Sequence, residues 1–374
     1  MNHIKIKTKD LQAIVKLMIV PQNISKWVQR SQVLQITSDA SQKILRLNAE
    51  SENIISEAEF RGEFTTDGND GDVASLFVDC TTFRNLVGTL IHEDVEFFMT
   101  SNSITIQDGK SRYAIEKIAD IADGEFAHPR IGETGIESIK PDDWQFIKDH
   151  MLFTAMDTTI QDRPMYQYVY INEKGTIIIG DFFRSIFSTY HINPIGDTKL
   201  IPQGVVNALC LMPEKNSAFI GDGYISTVVD TDAVHFSAEH KITTEEQVGG
   251  YGADVILPLF DCDDVEGLSA KSPDMLRILS QSDIVSGKID EYIALTLGGD
   301  EILFKDTRIS STVECEGSLE ETYSAYVSKA RLRAIVSACP AKAVQITPII
   351  RNSAVTGLCI SGGGVSYMIG SSEA

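Results

Sequence analysis

The residue groupings that could run chemistry in this chain of 374 residues are few, and each reads more simply as structure. Asp142/Asp143 and Asp263/Asp264 could serve as paired carboxylates, but both pairs stand at expected helix starts. Acids there complement the helix dipole and cap free amides. His235 and His240 are five apart on a strand-like run, a poor chelating separation. The cysteines at 80, 210, 262, 315, 339 and 359 form no CxxC pair, so reduced, buried thiols are expected and a zinc site is not. GGG at 362–364 follows a strand and precedes no helix with Lys-Ser/Thr, so it reads as a turn and not a phosphate loop. No GxSxG, HExxH or kinase signature occurs.

One stretch has bulk without a catalytic companion. In GTIIIGDFFRSIFSTYHI (175–192) an apolar run stops at Gly180-Asp181 and resumes at Phe183, with Phe182, Phe183 and Arg184 side by side at the corner. The elements around it follow from periodicity. LQITSD (34–39), ILRLNAESENIISEAEF (44–60), residues 94–118 and residues 218–240 alternate apolar and polar side chains, the pattern of antiparallel sheets with one buried face. Asp108-Gly109, Asp222-Gly223 and Gly298-Gly299 supply turns. Apolar residues at helical spacing predict helices over 8–20, 79–90, 141–156, 202–212, 272–281 and 328–339.

The order repeats: helix, strands, helix, strands, three times, with a period of about 110–125 residues. Linkers are expected at 119–135 and 247–264. The domains expected are 1–126, 133–252 and 256–374, in an α+β fold.

With this order in place, the chain resembles the bacterial-type DNA sliding clamp, the beta subunit of DNA polymerase III. ITIQDGKSRYAIEKI (104–118) is similar to the hairpin that closes that family's first domain. DRPMYQYVYI (162–171), GDFFRSIF (180–187), LIPQGVVNAL (200–209) and VILP (255–258) carry the rest. The drift from the family fits a divergent phage or mobile-element member. The resemblance implies the DNA-clamp fold: three similar domains, each with two helices and antiparallel sheets, in a head-to-tail homodimeric ring. It implies a processivity factor and not an enzyme, with no cofactor and no metal. The implied partners are double-stranded DNA without sequence preference, a DNA polymerase and a clamp loader. Strands within 94–115 and 290–313 are the candidates for ring closure by edge pairing.

The formal net charge is -21, which opposes casual nucleic-acid binding. The six helical stretches, slightly extended, together carry +4 and the remainder -25, so basic residues are enriched where the resemblance puts DNA. The DNA-facing candidates are Lys16, Lys26, Arg30, Arg84, Lys148, Lys199, Arg277, Lys329, Arg331 and Arg333. The resemblance also implies a pocket for a partner's peptide. By position it takes Tyr166, Gly180, Phe182, Phe183, Arg184, Ser185, Pro258, Val355, Gly357, Tyr367, Met368 and Ile369. An apolar, aromatic groove with a polar rim suits Leu and Phe anchors. Two departures fall here: the family's Asp-Gly-His-Arg corner is Asp181-Phe182-Phe183-Arg184, and its Met-Pro-Met-Arg-Leu end is YMIGSSEA.

No run of 18 apolar residues is present and MNHIKIKTKD is not a signal peptide, so a cytoplasmic protein with no membrane partner is expected. The alternative function is a clamp-like interaction scaffold that does not encircle DNA, which the acidic middle helices would favour.

Overall fold

The computed structural model describes residues 2–18, 33–51, 54–66, 73–100, 103–118, 126–131, 141–150, 168–181, 185–194, 196–212, 217–221, 223–244, 246–261, 265–286 and 291–372. The chain divides into two compact units. Unit 1 holds residues 1–144 and 204–243, and unit 2 holds residues 145–203 and 244–374. The middle of the chain thus contributes to both.

In unit 1, helix α1 (Thr8–Met18) buries Leu11, Ile14, Val15 and Met18, a stripe set by the helical period. Helix α2 (Cys80–Gly88) starts at Asp79, whose carboxylate accepts from the Thr82 amide, and buries Cys80, Phe83 and Val87. Gln12 of α1 donates to the carbonyls of Val87 and Leu90 at 3.0 and 2.9 Å. This satisfies acceptors that the end of α2 leaves open and ties the two helices together. They share one core with two antiparallel sheets. The first sheet runs Glu63–Thr66, Asn2–Lys7, Asp94–Met99, Ser103–Asp108, Ser111–Glu116. The second runs Ser217–Gly221, Tyr224–Asp230, Val234–Lys241, Ile54–Arg61, Ile44–Glu50, Val33–Asp39, Val73–Asp79. Its central seam pairs 234–240 with 54–60 in antiparallel register.

Unit 2 is built on one ten-stranded antiparallel sheet. Its order is Lys199–Pro202, Tyr168–Ile171, Thr176–Asp181, Ile186–His191, Val365–Gly370, Ala354–Gly362, Ala343–Arg351, Leu268–Lys271, Ser310–Ser328, Tyr292–Lys305. The last two are long, and their register shifts around Gly299 (φ 59°), where only glycine takes the bend without cost. The two long helices of this unit, Ser272–Ser286 and Lys329–Ala338, pack through Met275, Ile278, Leu279, Leu332, Ile335 and Val336.

The remaining helices are α3 (Pro141–His150), α4 (Gln203–Leu209) and α5 (Ala253–Ile256), which leads into a 3-10 turn over Leu257–Leu259. In chain order the two long helices of unit 2 are α6 and α7. Two expectations are corrected. The expected helix 272–281 runs on to Ser286. The stretch 247–264 is no bare linker, because it contains α5 with Tyr251, Ala253 and Ile256 buried. The pair Asp263/Asp264 lies outside the described residues, and α6 begins at Ser272 after a strand. Asp142/Asp143 does fall in the first turn of α3.

Candidate functional site: an apolar face of the ten-stranded sheet

Alternation along Val365–Gly370 sends neighbouring side chains to opposite faces. Tyr367 and Ile369 join the core under α6 and α7. Met368 joins a second, smaller cluster with Tyr170, Ile178, Phe187, Leu200, Tyr251, Ile256, Ile349 and Cys359. The segment of α5 lies against this second cluster. Tyr251 stacks on Tyr170 at 4.8 Å between ring centroids, and its hydroxyl donates to the Ile178 carbonyl at 3.4 Å. Leu257, Leu259 and Phe260 pack on it while only partly buried. Pro258 and Val255 are exposed beside them.

The strands on either side of the corner that drew notice in the sequence belong to this sheet. Strand Thr176–Asp181 pairs with Ile186–His191, which pairs with Val365–Gly370. Ser185 holds a left-handed backbone (φ 47°), and its carbonyl accepts from the Gly370 amide at 2.7 Å. A Cβ on Gly370 would clash with the Ser185 Cβ, so Ser185 sits on a bare stretch of backbone. A Cβ on Gly357 would meet the Ile369 carbonyl at 2.6 Å.

Of the residues expected to form the pocket, Gly180, Ser185, Gly357, Tyr367, Met368 and Ile369 lie on neighbouring strands of the sheet and the turn between two of them. Val355 packs toward the other core, under α6 and α7. Tyr367 and Ile369 are corrected: both are fully buried on the helix side and offer no surface to a ligand. The Tyr367 hydroxyl meets His150 Nε2 at 2.7 Å, while His150 Nδ1 meets the Phe146 carbonyl at 2.8 Å. A carbonyl only accepts, so Nδ1 carries the proton and Tyr367 donates to Nε2. Burial lowers the His150 pKa and raises that of Tyr367, which keeps both neutral. Tyr166, Phe182, Phe183 and Arg184 lie outside the described residues. Sequence reasoning missed Tyr251, Ile256 and Ile349; the apolar run VILPLF at 255–260 was the available signal.

The basic candidates separate by exposure. Lys16 on α1, Lys148 on α3 and Arg277 on α6 are exposed, and Arg84 and Arg331 are half-buried. Lys26 and Arg30 lie outside the described residues. Lys199 is corrected: it is on a strand and buried, 4.0 Å from Asp197. Lys329 is corrected too. Its ammonium is inside unit 2, donating to Ser282 at 3.1 Å and 3.7 Å from Asp306. Arg333 is ion-paired with Asp283. The three cations of α7 therefore do not form one free face. Among the described residues, no helix is long and apolar enough to cross a membrane.

Units of antiparallel sheet packed on paired helices define the fold as a DNA clamp. Solved bacterial clamps match it along the whole chain. The sliding clamp of Bacillus subtilis is 12% identical at a TM-score of 0.76, covering 100% of this chain and 99% of that one. The DNA polymerase III beta subunit of Thermotoga maritima is 10% identical at a TM-score of 0.77, with both chains fully covered. The Helicobacter pylori beta clamp, solved bound to a DNA ligase peptide, is 13% identical at 0.72, covering 99% of this chain and 100% of that one. The sequence matches no protein-family model, and no curated protein matches it. The chain has the sliding-clamp fold from end to end and resembles the DNA polymerase III beta subunit.

Proposed function

We propose that this chain is a DNA sliding clamp: a processivity factor that closes as a head-to-tail homodimer around duplex DNA and tethers a polymerase. The observation that carries this reading is the end-to-end likeness of fold to clamps whose chains are covered completely or nearly so. In this reading the chain has three domains, 1–126, 133–252 and 256–374, although its contacts divide it in two. It acts by topology, not by a catalytic residue, and needs no cofactor. Lys16, Lys148 and Arg277, with Arg84, Lys26 and Arg30, supply sequence-blind attraction to phosphates. The apolar cluster around Met368, with the 181–185 corner and Pro258, takes a peptide from the polymerase, the clamp loader or other partners. The ring closes by pairing of strands within 94–115 and 290–313, and the protein works in the cytoplasm.

The test combines solution mass with retention on DNA. A dimer that a loader places on nicked circles, and that is lost when the circles are cut, supports the clamp. A monomer, or a dimer retained equally on circles and linear DNA, overturns it. The second reading is a clamp-like scaffold that does not encircle DNA. It is favoured by one specific observation: two of the three cations on α7, Lys329 and Arg333, are spent on Asp306 and Asp283.

A further inference from the structure

Residues 126–131 cross the seven-stranded sheet of unit 1, and their contacts step from strand to strand in sheet order. Phe126 stacks on Phe77, in the strand at one edge, at 5.9 Å between centroids. The Ala127 amide donates to Glu50 at 3.4 Å. His128 Nδ1 is 2.7 Å from Glu57. The Arg130 amide and Nε donate to Glu239 Oε2, each at 3.0 Å, and its Nη2 donates to Oε1 at 2.6 Å. The Arg130 guanidinium also lies 4.3 Å over the ring of Tyr224.

These anchors straddle the seam where the sheet joins chain segments remote in sequence. Glu50, Glu57 and Phe77 belong to the first part of the chain, and Tyr224 and Glu239 to the part after residue 204. The strands that meet there are Ile54–Arg61 and Val234–Lys241. His128 holds the first and Arg130 the second. The Glu239 side chain is 2% exposed. A carboxylate so buried is costly unless it is paired and hydrogen-bonded. Burial would raise its pKa, but the hydrogen bonds from Arg130 hold it below the usual value. A fork of planar donors also fixes direction, which a point charge does not.

We propose that 126–131 is a strap and that the Arg130–Glu239 pair is its latch, holding the seam between Ile54–Arg61 and Val234–Lys241 closed. Arg130 acts as a positioning residue: it fixes how freely this seam opens. The latch rests on contacts within unit 1 alone and stands or falls apart from the clamp reading.

Amide hydrogen exchange on the full chain tests it. With Arg130→Ala, amides in 54–61 and 234–241 should exchange about tenfold faster or more, because local opening there no longer breaks a charge-assisted bond. Amides of the neighbouring hairpin, 33–39 with 44–50, should keep their rates. Arg130→Lys, which keeps the charge without the fork, should give an intermediate rise at the seam. Glu239→Gln should give a smaller rise confined to the same strands. Unchanged seam exchange in Arg130→Ala, or an equal rise across all strands of unit 1, would overturn the latch.

Discussion

Lys329 and Asp306 face each other inside unit 2, with 3.7 Å between ammonium and carboxylate and side-chain exposures of 5% and 1%. Ser282 and Ser286 of α6 both donate to the same carboxylate oxygen, and the amides of Arg308 and Ile309 donate to the other at 2.8 Å. Burial opposes ionisation of Asp306, but these donors win and hold its pKa down to about 2. The cluster ties α6, α7 and the turn after Tyr292–Lys305 together. Lys329→Met should therefore destabilise the fold by about 1–3 kcal/mol, less than full loss of a buried ion's partners, because Asp306 keeps four donors. Urea denaturation measures this. The salt slope of DNA retention should not change, and a changed slope with an unmoved denaturation midpoint would place the ammonium at the surface.

The exposed cations should behave in the opposite way. Neutralising Lys16, Lys148 and Arg277 together should leave the denaturation midpoint within experimental scatter, since surface substitutions cost little. Retention on circular DNA should fall, and its salt dependence should become shallower by about one unit of slope for each phosphate no longer neutralised. An unchanged slope would remove these three residues from the DNA-facing set.

His240 gives the fold a pH dependence with a defined window. It is fully buried, meets Thr227 Oγ1 at 3.2 Å, and has no partner at Nδ1 among the described residues. Burial lowers its pKa from 6.5 to about 4. The unfolded chain therefore takes up a proton that the folded chain refuses. Stability from this residue is full above pH 6.5 and is lost as pH falls to about 4. The loss is roughly 3 kcal/mol. His150, also lowered by burial, adds in the same direction. His240→Phe should flatten the slope of unfolding free energy between pH 4 and 6.5, whatever it does to stability at neutral pH. An unchanged slope would show that the imidazole is not buried neutral.

Where one face is buried and the other wet, the sequence was plain. Ile104 and Ile106 alternate with half-exposed neighbours, and their strand falls where the alternation puts it. The end of α6 was hidden for a physical reason: its inward positions there are Ser282 and Ser286, one turn apart, and they face a carboxylate and not an apolar core. Lys329 was misread for the same reason, because a lysine signals surface only when no buried acid awaits it. The α5 segment looked like a linker since it is short and glycine-flanked, yet its aromatic and aliphatic side chains cover a sheet face. Tyr367 and Met368 are adjacent in sequence but lie on opposite faces, which only the register of the strand reveals.

In the clamp reading, Met368 and not its neighbours on the strand decides peptide docking. Met368 is the residue of the final strand that reaches the cluster beneath α5, and its flexible thioether suits a surface that must fit an apolar anchor. In the clamp reading, Met368→Ala should weaken binding of a bacterial clamp-binding peptide about tenfold, the effect of removing one well-packed anchor. Arg184→Ala tests the corner in the same assay and should add to the loss. Tyr367→Phe removes only the hydroxyl bonded to His150 and should leave peptide affinity unchanged while lowering the denaturation midpoint. Fluorescence anisotropy with a labelled peptide separates these effects. Tight binding that survives both Met368→Ala and Arg184→Ala would move the docking site to another surface, and a Tyr367→Phe effect on affinity alone would show that the buried face of the strand is reached by the peptide.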